Sequence, residues 1–256
     1  MTTSPEEKMP LTAHLEEFRK RLIRILIGIS IGFGACWYWR ELLFKIITKP
    51  LSDVLPKSSY MIYTGLPEAF FIYMKIALFG SLILTSPFTL YQIWRFVSPG
   101  LYKAEKKYVV PFVISSSILF IGGVLFGYYI ALPPAFAFFV EFSSDFLKPM
   151  ISFREYLSLI LKFLLSFGLC FEMPVFIFFL AKVGIVNARM LSKQRRYAIL
   201  IIFIAAAILT PSPDALSQII MAIPLMFLYE ISIFVARFAG RKRTVSAEDP
   251  EKETTL

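Results

Sequence analysis

Three glutamates sit where a carboxylate needs an explanation. Glu172 lies in Phe167-Gly168-Leu169-Cys170-Phe171-Glu172-Met173-Pro174, inside an otherwise apolar run. An acid at that depth is costly and normally faces a protein interior or a wet cavity. Pro174 has no N–H, so it also frees a backbone carbonyl nearby as a candidate partner. Glu17 stands four residues before Arg21, and an i,i+4 ion pair, with about 0.2–0.5 kcal/mol of stabilisation, accounts for it. Glu105 is a lone acid among Arg95, Lys103, Lys106 and Lys107, and local neutralisation of a basic loop accounts for that. Glu17 and Glu105 also suit a ligand with adjacent arginines, because a guanidinium meets a carboxylate through a rigid two-pronged fork.

Other chemistry is missing. The sequence contains no G-x-x-x-x-G-K-[ST] phosphate loop, no H-E-x-x-H and no G-x-S-x-G. His14 is the only histidine, so neither a histidine dyad nor a multi-histidine metal site can form within one chain. The sequence therefore predicts a non-enzymatic protein with no cofactor and no metal. Any work it supports must draw on another source, such as a membrane potential at ~2.3 kcal/mol per charge per 100 mV.

The elements that must carry these acids are apolar. Of 256 residues 57% are hydrophobic, 18% are charged and 27 are phenylalanine, which excludes a disordered chain and a basic nucleic-acid-binding domain. Six apolar runs are predicted to form helices at about 22–39, 70–94, 109–132 (ending against Pro133-Pro134), 156–180, 197–209 and 215–236. A crossing needs about 20 residues. The first four runs suffice, and the last two form a short hairpin. Ahead of the first run, 11–22 reads as an amphipathic helix capped by Thr12, with Leu11, Leu15, Phe18 and Leu22 as its apolar stripe. Gly28-x-x-x-Gly32 and Gly123-x-x-x-Gly127 predict close helix packing. Cys36 and Cys170 are expected to pack as small hydrophobes.

The net charge of +9 reports orientation. With the N-terminus, 95–108, 181–196 and the C-terminus on one side, that side holds nineteen of the 27 Lys and Arg. The positive-inside rule then predicts both termini in the cytoplasm. The fold expected is an all-α integral membrane protein, with one six-helix domain over 1–240 and a disordered charged tail over 241–256. Nucleic acid is not an expected partner.

With these segments in view, the chain resembles the TatC family, the multispanning subunit of the twin-arginine protein translocase. Four blocks carry the likeness in order: His14-Leu15-Glu16-Glu17-Phe18-Arg19-Lys20-Arg21-Leu22; Ser86-Pro87-Phe88 through Tyr91-Gln92, Trp94, Phe96 and Pro99-Gly100-Leu101-Tyr102 to Glu105; Phe167-Gly168, Phe171-Glu172 and Pro174; and Thr210-Pro211-Ser212-Pro213-Asp214 with Ser217-Gln218, Ile223-Pro224 and Tyr229-Glu230. The resemblance implies a glove- or bowl-shaped molecule with Glu172 on its concave side, in the bacterial inner membrane. It implies binding of twin-arginine signal peptides of folded cargo through Glu17, Arg19, Phe96 and Glu105. Pro50, Pro87, Asp214 and Gln218 would serve as structural and hairpin positions. TatA- and TatB-type single-span subunits, further copies of the chain and lipid are the implied partners, with the proton-motive force as the drive. The competing reading is a proton-coupled small-solute secondary transporter with Glu172 as proton carrier, although the two halves show no repeat.

Overall fold

A computed structural model of the chain describes residues 11–55, 60–63, 65–97, 109–141, 150–209 and 215–239. Glu105, Asp214 and the 241–256 tail lie outside the described residues. The order is α1 (Leu11–Tyr38), α2 (Arg40–Ser52), β1 (Tyr60–Ile62), α3 (Glu68–Leu84), α4 (Ser86–Val97), α5 (Val109–Phe126), a π-helical turn (Gly127–Ala131), α6 (Leu132–Glu141), β2 (Met150–Ser152), α7 (Phe153–Phe171), α8 (Met173–Val183), α9 (Ala188–Lys193), α10 (Arg195–Leu209) and α11 (Ala215–Ala239).

Among the described residues, four stretches are long and apolar enough to cross a membrane: Thr12–Tyr38, Val110–Phe138, Phe153–Val183 and Gln218–Phe238. The α3–α4 pair makes a fifth if it counts as one span, but it is bent by 57°. That bend corrects the expectation of one straight run over 70–94. Pro87 cannot donate to the Ile83 carbonyl, and the Ser86 hydroxyl takes that carbonyl instead, at 2.7 Å. Thr85 donates to the Ser81 carbonyl at 2.7 Å, beside it. At 15 residues α10 is about 22 Å long, short of a full crossing. α11 has 25 residues and is long enough to cross, which corrects the expectation that both last helices are short.

Three further expectations change. The amphipathic segment and the first apolar run form one 28-residue helix, so Thr12 lies inside α1 and does not cap it. The third run does not end at Pro133-Pro134. These prolines occupy the second and third positions of α6, which continues directly from the π-helical turn, where the Leu132 N–H donates to the Gly127 carbonyl in the wider i,i+5 pattern. The all-α expectation also omits a strand pair: β1 and β2 run parallel, with Met61 opposite Ile151.

Prolines elsewhere also set where hydroxyls must go. Pro50 lies inside α2 and is buried. Its missing N–H leaves the Ile46 carbonyl to the Tyr128 hydroxyl, at 2.6 Å, and Tyr156 donates to the adjacent Ile47 carbonyl at 2.5 Å. In this way α2 is fixed to the π-helical turn and to α7.

Packing forms two connected groups. α1 lies on α3 and α4, α5 on α4 and α7, and α11 on α8 and α10. Ile76, Ile160, Phe167 and Met221 are completely buried at the centre. Both glycine motifs lie at crossings: a Cβ at Gly32 would fall 2.7 Å from the Thr85 methyl, and one at Gly123 2.7 Å from the Phe167 carbonyl. Cys36 is a buried free thiol and Cys170 a partly buried one. The stripe of Leu15, Phe18 and Leu22 stays exposed. α1 instead turns Arg21 and the glycines inward, leaving its stripe for the membrane or another chain.

Candidate functional site

The start of α1 and the end of α4 meet at one end of the bundle. Arg21, 8% exposed, is buried there. Its Nε donates to Glu17 Oε1 at 3.0 Å, and its Nη2 donates to the same oxygen. Its Nη1 donates to Gln92 Oε1 at 3.3 Å, across 71 positions of sequence. The i,i+4 pair expected from spacing is therefore formed, and Gln92 extends it to α4. A hollow of about 280 Å³ lies beside the pair, lined by Ala13, Glu16, Glu17, Lys20, Arg21 and Arg24.

Phe96, in the last turn of α4, provides an aromatic wall next to these groups. The His14 ring stacks on it at 4.5 Å and 19°, and Phe18 approaches it at 5.5 Å. Arg19 is exposed and lies two residues from Glu17, hence on the other side of α1. Of the four residues expected at the binding site, the structure thus brings Glu17 and Phe96 to one end of the α1–α4 contact, places Arg19 outside that cluster, and does not describe Glu105. Sequence reasoning did not place Gln92 or His14 at the site. A lone amide between apolar neighbours on α4 was the available signal for Gln92.

Glu172 stands between α7 and α8. Its Oε1 is buried without a hydrogen-bond partner, and the Ser116 hydroxyl lies against the carboxyl. Ser116 is fully buried and accepts the Trp94 indole N–H at 2.8 Å. Trp94 itself stacks on Phe112 at 5.0 Å. One helix, α4, therefore presents Gln92 to Arg21 and Trp94 to the Ser116–Glu172 pair. An acid in such a place can change its charge or its partner when a polar group arrives.

Of the positions expected to be structural, Pro50, Pro87 and Gln218 are described and Asp214 is not. Pro50 and Pro87 shape α2 and the α3–α4 bend, as described above. Gln218 Nε2 donates to the Phe203 carbonyl at 2.8 Å, joining α11 to α10. Arg195 and Glu230 pair at 2.8 Å between the same two helices. Among the described residues, no group of three or more His, Cys, Asp or Glu could hold a metal ion.

A family model described as Sec-independent protein translocase protein (TatC) matches residues 13–224. The chain belongs to the TatC family. It is 49% identical to a Sec-independent protein translocase protein TatC of Desulforapulum autotrophicum, over 98% of this chain and 93% of that one. Another TatC, of Koribacter versatilis, is 42% identical over 89% and 85%. A crystal structure of the twin arginine translocase receptor TatC superposes with a TM-score of 0.78 at 40% identity, covering 89% of this chain and all of that one. The chain is accordingly a multi-pass membrane protein of the twin-arginine translocation system. TatC is a translocase component and not a known enzyme family, and none of these relatives is named as a solute transporter.

Proposed function

We propose that this chain is the receptor subunit of a twin-arginine translocase in the bacterial cytoplasmic membrane, with both termini in the cytoplasm. The observation that carries this reading is the Glu17 carboxylate at the α1–α4 contact, already engaged by a guanidinium, with the Phe96 wall nearby. A carboxylate that holds one guanidinium fork has the charge and geometry to hold another. The twin arginines of a signal peptide pair with Glu17 and Glu105, and the peptide's apolar segment follows along the helices. TatA- and TatB-type subunits complete the machine, and the proton-motive force drives it. The nineteen-to-eight division of basic residues supports the orientation.

Crosslinking of a twin-arginine signal peptide to the full chain in membranes tests the reading. Glu17→Ala and Glu105→Ala should each lower the yield, and the double variant should abolish it. Undiminished crosslinking in the double variant sinks the proposal.

A further inference from the structure

The receptor reading leaves one residue without a role. A carboxylate offered to an incoming arginine is here already occupied by one of the chain's own. Arg21 directs two N–H groups at a single oxygen of Glu17 and a third at Gln92. It is buried at a helix contact, where removing one member of an ion pair strands the other. Glu17 is therefore not vacated. It exchanges one partner for another, and the newcomer must match what it replaces.

Arginine and lysine differ sharply in that exchange. A guanidinium is planar, weakly hydrated and presents its donors in a fixed fork, whereas an ammonium is a compact, strongly hydrated point charge. Only the guanidinium can reproduce the two-donor contact that Arg21 gives up. The hollow next to the pair leaves room for two side chains during the exchange; Arg24 on its lining repels loosely held cations, while Lys20 is held by Glu16 at 2.7 Å. Gln92 offers the displaced Arg21 a retained contact, since its Oε1 already accepts from Nη1.

We infer that Arg21 is a built-in competitor for Glu17 that makes the site select arginine over lysine. The inference rests on the receptor reading and adds to it a residue that sets specificity. Discrimination arises from what must be displaced as well as from what is gained, a form of selection against the wrong ligand.

The test uses the full chain in lipid nanodiscs and two fluorescent signal peptides, identical except for an Arg-Arg or a Lys-Lys pair. The wild type should bind the Arg-Arg peptide at least about tenfold more tightly. Arg21→Gln and Arg21→Lys should each bring the two affinities within about threefold, chiefly by tightening the Lys-Lys peptide. Gln92→Leu, which keeps Arg21 but loosens it, should shift the ratio in the same direction by a smaller factor. If Arg21→Gln does not fold, Arg21→Lys and Gln92→Leu decide the question. A wild-type ratio near one, or a ratio unchanged in the folded variants, overturns the inference. A Glu17→Gln variant that binds the Arg-Arg peptide as well as the wild type overturns the receptor reading instead.

Discussion

Tyr128 donates its hydroxyl to the carbonyl of Ile46 at 2.6 Å, the carbonyl that Pro50 cannot serve. Tyr128→Phe should therefore lower stability by about 0.5–1.5 kcal/mol. In a Pro50→Ala background the same substitution should cost much less, because a helical N–H then reaches Ile46. Thermal unfolding of the four proteins in detergent gives the comparison, and an equal loss in both backgrounds would refute the account. Tyr156→Phe should cost more, about 1–3 kcal/mol, because its acceptor lies in a fully buried contact.

Adjacent glycines in α5 should respond in opposite ways. A Cβ at Gly123 meets the Phe167 carbonyl at 2.7 Å and Phe171 at 2.8 Å, while one at Gly122 meets nothing within 4 Å. Gly123→Ala should therefore separate α5 from α7 and lower stability by about 1–3 kcal/mol. Gly122→Ala should be neutral or stabilising by up to about 1 kcal/mol through helix propensity. Melting temperatures that fall equally for both variants would contradict the crossing geometry.

Export of a folded twin-arginine reporter should fall less for Glu172→Gln than for Glu172→Ala, since the amide keeps a polar group against Ser116. Trp94→Phe removes the donor to Ser116 but retains the stack on Phe112, so it should give an intermediate loss without a large change in stability. A Gln variant as inactive as the Ala variant would mean that the carboxyl's own proton or charge is needed.

Phe96→Ala should weaken signal-peptide crosslinking severalfold, because it removes the ring on which His14 stacks and that Phe18 meets. Phe96→Tyr should retain most of it. Equal crosslinking by all three proteins would remove Phe96 from the binding surface.

Much of this was readable in advance, for local reasons. Runs of apolar residues mark helices whatever they pack against, so the stretches around 22–39, 109–132 and 156–180 announced themselves. The Glu17–Arg21 pair follows from one helical turn, and the glycine motifs from a spacing of four. What escaped notice is non-local or contrary to pattern. Hydropathy runs on without interruption through Thr85, so only Pro87 signalled the 57° bend. Pro133-Pro134 marks a helix end by local rule, whereas here the helix runs on through them from the π-helical turn just before. Gln92 finds Arg21, and Tyr128 finds Ile46, across 71 and 82 positions, which no local pattern encodes. The three-residue strands are too short to alternate visibly, and each exists only because the other is there.

That strand pair also bears on how the molecule can deform. β1 joins Tyr60–Ile62 to Met150–Ser152 of β2, just ahead of α3 and directly before α7. Two helices whose leading ends are tied by backbone hydrogen bonds behave like the arms of tweezers joined at one end. At their other ends α3 gives way to α4 and α7 to Glu172, held by side-chain packing. The tie thus lies at the ends remote from Glu172 and from α4, the helix that carries Gln92 and Trp94.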